Sequence, residues 1–187
     1  GWSFLACLGI LAFPAIRVLY GSQWDDAVDP TRWLAASMAL AVPSYVCLAP
    51  MLATGAASQA LRVAILSTCL YIASAGVGAH FGLLALSQSL LPAAALSSGL
   101  WLHAAKQHVG FKWTTLLGTL GKSAVVAVAT AAVPVAVSLV LGWRSGDILT
   151  TLLVAIPGAV GGFCAAAYFT RHPLREEISG AIAAIKP

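Results

Sequence analysis

The residues in this chain with chemistry to offer are cations at the ends of apolar runs. Arg17, Arg32, Arg62, Lys106, Lys112 and Lys122 each stand where an apolar stretch begins or ends. A guanidinium stays charged at any relevant pH and forks onto phosphate or carboxylate oxygens. Two uses of these groups stand open. Turned outward, they snorkel to the headgroups and fix topology. Turned toward a cavity, they hold an anionic headgroup. Arg17 is the foremost candidate, because it follows Phe13-Pro14-Ala15-Ile16 inside the end of the first apolar run. Arg62 is the next, and Arg32 and Lys122 complete the candidate cations. Gln88 lies within an apolar run, where lipid would leave its amide unsatisfied. It is expected to face the bundle, bonding a neighbouring helix or lining a wet cavity.

Other chemistries lack their residues. There is no HExxH, no nucleophile elbow and no His pair four apart. No catalytic residue, metal site or cofactor is expected, and the chain reads as a non-enzyme. His80 and His103 fall at run ends, as interfacial polar residues do. Cys7, Cys47, Cys69 and Cys164 are scattered through apolar runs with no CxxC, so they read as small packing residues. Every Asp and Glu lies in a loop or the tail, which disfavours a carboxylate relay inside the bilayer.

The elements that carry the cations follow from composition. Of 187 residues, 60% are hydrophobic and 9% charged, against about 25% charged in soluble domains. Such a chain cannot coat a water-facing surface, so membrane lipid is its solvent. A span needs about 20 apolar residues, which predicts an all-α, polytopic transmembrane helical bundle of about six spans. They run near 2–19, 33–52, 63–79, 81–103, 123–141 and 148–170, with residues 171–187 as a tail. Phe111 to Leu120 is expected to lie in the interface ahead of the fifth span. The chain opens on Gly1 within an apolar run, and an N-terminal half is expected to be missing.

The loops fix the orientation. The second and fourth loops and the tail hold Arg62, Lys106, Lys112, Lys122, Arg171, Arg175 and Lys186, while the other loops hold only Arg17, Arg32 and Arg144. The positive-inside rule then places the C-terminus in the cytoplasm and the loop with Asp25, Asp26 and Asp29 outside. That acidic loop reads as a solvated cap, with Asp29-Pro30-Thr31 a helix start. All six Trp residues fall near span ends, where indoles prefer the interface. Pro14, Pro43, Pro50, Pro92, Pro134 and Pro157 fall in or beside spans. They read equally as hinges between access states and as fixed kinks. Gly158 and Gly162 form a GxxxG, and Ala127 and Ala131 a similar pair; both read as packing within the chain.

The run from Phe13 to Trp24 resembles the C-terminal half of bacterial oligosaccharide flippases. These are the O-antigen and exopolysaccharide repeat-unit exporters of the multidrug/oligosaccharidyl-lipid/polysaccharide superfamily. The resemblance rests on the LYG-x-x-W loop (Leu19, Tyr20, Gly21, Trp24), on Arg32-Trp33-Leu34 opening the next helix, and on the small-residue loop from Thr54-Gly55 to Arg62. That loop lacks the Arg-Pro pair usual in the family. The order of later elements is also similar, down to His172-Pro173-Leu174. The resemblance implies one half of a two-bundle transporter in a bacterial inner membrane. A polyprenyl-diphosphate-linked oligosaccharide would be its cargo and a polysaccharide polymerase a candidate partner, with no nucleic acid involved. A drug/cation antiporter of the same superfamily and a non-transporting module of a polysaccharide assembly complex are the rivals. A reporter fused after Lys186 is expected to be cytoplasmic; labelling of that reporter from outside intact cells would reverse the topology.

Overall fold

The computed structural model describes residues 1–141 and 148–169, with side chains for 1–139 and 152–166. The loop bearing Arg144 and Asp147 and the tail with His172-Pro173-Leu174 lie outside the described residues. Everything described is helix, turn or short connection. The helices are α1 (Trp2–Ile10), α2 (Ala12–Tyr20), α3 (Val28–Tyr45), α4 (Leu48–Ala53), α5 (Ala57–Ala79), α6 (Leu83–Val109), α7 (Trp113–Leu141) and α8 (Ile148–Phe169), with a 3-10 turn at Ser22–Ala27.

The packing is inside out relative to a water-soluble core. Thirteen of the twenty buried hydrophobic residues among those described are alanines, whereas Phe4, Phe81, Val128 and Leu139 are at least 70% exposed. Small side chains let helix backbones approach, and the large ones face outward into what must be lipid. In α5 only 17% of the most apolar stretch is buried by the rest of the chain. Several long apolar helices thus mark a membrane protein.

Among the described residues four helical units are long and apolar enough to cross a bilayer: Ser22–Ala53, Ala57–Ala79, Leu83–Val109 and Trp113–Leu139. A fifth arises if α1 and α2 count as one broken span, and Leu152–Ala166 is a shorter apolar stretch. The differences from the six expected spans have local causes. The first expected span, 2–19, is bent by 70° at Leu11. Pro14 cannot donate to the carbonyl four residues back, at Ile10, and its ring crowds that carbonyl. α2 therefore restarts, with Pro14 in its first turn, where a missing N–H is harmless. α7 runs unbroken from Trp113, so the segment expected to lie in the interface, Phe111 to Leu120, is mostly the first turns of a long helix.

Helix α3 packs on α6 and α1, α6 also on α5, and α1 also on α7, which pairs with α8. α2 leans back across α8 and α3. Proline and its neighbours explain one of these contacts. Pro43 inside α3 leaves the Ala39 carbonyl with no amide partner four residues on. The Trp2 indole Nε1 donates to that carbonyl at 2.7 Å, and Ser98 Oγ from α6 donates to the adjacent Leu40 carbonyl at 2.6 Å. Trp2 is therefore a helix-to-helix tie rather than an interfacial anchor. At the α5–α6 hairpin, Ser89 Oγ donates to the Ser74 carbonyl at 2.8 Å. A Cβ on Gly78 would stand 2.6 Å from Leu86 Cα, so only glycine fits that crossing. Gly158 and Gly162 meet Val133, Ala129 and Thr130 of α7, so the GxxxG pair packs within the chain.

Trp2→Phe should lower stability by about 1 kcal/mol, the cost of stranding one carbonyl in an apolar interior. In a Pro43→Ala background, where residue 43 regains its N–H, the same change should be close to neutral. Thermal unfolding of the four proteins in detergent measures this coupling.

Candidate functional site

The 70° elbow opens a cleft. α1 ends and α2 turns away, and the chain then returns through the 3-10 turn into α3. The space between holds a cleft of about 1200 Å³, lined by Gly9, Ile10, Phe13 and Arg17 of the elbow. Asp25 and Asp26 of the 3-10 turn, Val28, Asp29, Pro30 and Arg32 of α3, and Leu84 of α6 complete it. Gly21, at φ +87°, makes the reversal from α2 into the turn, a conformation only glycine adopts readily.

Arg17 and Arg32 are both in this cleft, and each meets a carboxylate. Arg17 Nη1 lies 3.5 Å from Asp25 Oδ2, each side chain 38% exposed, and the guanidinium sits 5.4 Å over the Phe13 ring. Arg32 Nη1 lies 3.1 Å from Asp29 Oδ1 one helical turn away. Asp29 thus pairs along α3, while the first-turn Pro30 is tolerated because its N–H would be unpaired anyway. Asp25 Oδ1 is buried with no hydrogen-bond partner among the described residues.

The three carboxylates were readable only as a solvated cap in the sequence, and the structure makes them half of the site. The signal was present: Asp29 and Arg32 have the spacing of a helical ion pair, and Arg17 and Arg32 flank the acids. With two arginines and three aspartates the lining carries a formal charge of 2 − 3 = −1. A phosphate would have to displace carboxylates. Hydroxyl groups would not, since they accept from guanidinium and donate to carboxylate.

The remaining candidates do not converge here. Arg62 is exposed in the first turns of α5 and Lys122 is exposed on α7. Arg62 lies 16 residues, or roughly 24 Å along the helix, from Gly78 at the α5–α6 turn. Gln88 is exposed and does not face the bundle core; it lies one turn beyond Leu84, near the start of α6. Leu19, Tyr20 and Trp24 of the family-like loop are 72, 61 and 52% exposed, and the Tyr20 and Trp24 rings lie 6.1 Å apart. They stand beside the cleft and do not line it. Among the described residues no three His, Cys, Asp or Glu side chains group closely enough for a metal ion.

A second, apolar groove of about 780 Å³ borders the first. Trp2, Leu5 and Ala6 of α1 and Ala35, Ala36 and Ala39 of α3 line it, with Leu91 of α6 and Ala124, Ala127 and Val128 of α7. Gly9, Ile10 and Arg32 line both spaces. Arg32 therefore stands where a polar cleft gives way to an apolar one.

The Arg17–Asp25 pair is too exposed to hold the fold. A double-mutant cycle with Arg17→Ala and Asp25→Asn should give a coupling below about 1 kcal/mol, read from unfolding in detergent. No protein-family model, curated protein or solved structure matches this chain.

Proposed function

We propose that this chain is part of a transporter for a lipid-linked oligosaccharide, moving a polyprenyl-diphosphate-linked repeat unit across a bacterial inner membrane by alternating access. The observation that carries the reading is the position of Arg32 between the polar cleft and the apolar groove. A lipid-linked sugar has the same order of parts. Its hydroxyls suit the mixed Arg and Asp lining, its isoprenoid suits the groove, and its diphosphate lies between them, beside Arg32. The Asp29 partner of Arg32 is 66% exposed, so a more highly charged anion can compete for the guanidinium. Cargo is held by positioned donors and acceptors, with no bond made or broken. The resemblance of the Leu19-Tyr20-Gly21 and Trp24 loop to oligosaccharide flippases supports the same cargo.

The rival cation antiporter is favoured by one feature, the −1 formal charge of the cleft. Binding to the detergent-solubilised full chain separates the two. Polyprenyl-diphosphate-linked sugar should bind, and Arg32→Ala should weaken it by roughly tenfold, the worth of a hydrogen bond to a charged group. Free oligosaccharide, lacking the tail, should bind far less well. Binding of a lipophilic cation, strengthened by Arg32→Ala, with none of the lipid-linked sugar, would replace this reading by the antiporter.

A further inference from the structure

We propose that the opposite end of the bundle, where α6 turns into α7, is a binding site for the headgroup of an anionic phospholipid. The charge distribution points there first. Between Asp29 and Asp147 the sequence has no acidic residue. Arg17 and Arg32 each face a carboxylate, but Arg62, Lys106 and Lys112 have none among the described residues. Among the described residues, the cations that face no carboxylate are these three, all at this end, and Lys122 farther along α7.

The turn that presents them is built rather than loose. Gly110, at φ +70°, closes α6, and its amide donates to the Lys106 carbonyl at 3.0 Å. The chain reverses there and brings Trp113 back to Lys106, whose Nζ lies 5.2 Å from the centre of the indole. Phe111 meets Trp113 edge-on at 5.7 Å. Phe111 also packs on the buried cluster of Met51, Ala60 and Ala105, which ties the turn to α4 and α5. The Lys112 side chain is exposed between these two aromatics. Its carbonyl accepts from the Thr115 and Leu116 amides, which fixes it at the positive end of the α7 dipole. Arg62 precedes Val63 of the same buried cluster, so it belongs to this end too.

A lipid is favoured over a free anion by what adjoins the charges. Indole beside ammonium is the composition of the headgroup layer. One and two turns into α7, Leu116 and Leu120 line an apolar groove of about 340 Å³ against Val42 and Pro43 of α3 and Val46 just beyond it. A phosphate held at Lys106 and Lys112 leaves that groove for an acyl chain.

The test is lipid retention by the purified full chain from an equal mixture of phosphatidylglycerol and phosphatidylcholine, read by native mass spectrometry. The wild type should enrich phosphatidylglycerol. Lys106→Gln and Lys112→Gln should each reduce the enrichment about fivefold, the worth of one basic residue near an anionic surface. The double Lys→Arg variant should keep it, which separates loss of charge from loss of fold. Arg17→Gln with Arg32→Gln should leave it unchanged, and inorganic phosphate should not displace the lipid. Equal retention of both lipids, an unaffected Lys→Gln pair, loss in the Lys→Arg pair, dependence on Arg17 and Arg32, or displacement by inorganic phosphate would each overturn the proposal.

Discussion

In hydrocarbon a backbone carbonyl without a donor has no water to turn to, and that constraint organises this chain. Proline removes donors, and two prolines here are answered differently, one by a break and one by a neighbour. Pro14 is answered by a break: the helix ends at Ile10 and restarts as α2 at 70° to its predecessor. Pro43 is answered by a neighbour, because Trp2 of α1 donates to the carbonyl it strands. The first answer makes the cleft and the second holds α1 against α3 beside it. The prolines thus differ in how far the helix bends at them. Pro43, Pro92 and Pro134 lie inside continuous helices, while Pro14 alone coincides with a sharp elbow among the described residues.

Charge is the second organising constraint. Few ionisable groups are present, and most of those among the described residues stand near one end or the other. One end pairs Arg17 and Arg32 with aspartates, giving a lining of mixed sign that suits neutral, hydroxyl-rich ligands. The other carries lysines and Arg62 with no acid to neutralise them, beside Phe111 and Trp113.

The meeting of cleft and groove at Arg32 also depends on small residues. Gly9 and Ala35 approach closely, and Ala36, Ala39, Ala124 and Ala127 keep the groove open where larger side chains would fill it. The alanine-rich interior thus serves two ends at once, close helix packing and a space for an apolar chain.

The sequence by itself determined that the chain is helical and lipid-facing, but not where the first span breaks or where α7 begins. Runs of about 20 apolar residues with almost no charge can only be helices in lipid. The sorting of Lys and Arg by loop was equally legible, since it needs no contact information. Tertiary structure decided what those residues face. Gln88 within an apolar run was expected to turn inward and is exposed, because it falls off the face of α6 that buries Ser87, Ala94, Ser98 and Ala105. Arg17 could be read as a free anion holder until the reversal at Gly21 set Asp25 against it, whereas the Asp29–Arg32 pair is local to α3. Local pattern fixes which groups a helix carries; which neighbour meets them depends on the bend at Leu11 and on the crossings at Gly9 and Gly78, and these are settled only when the helices pack.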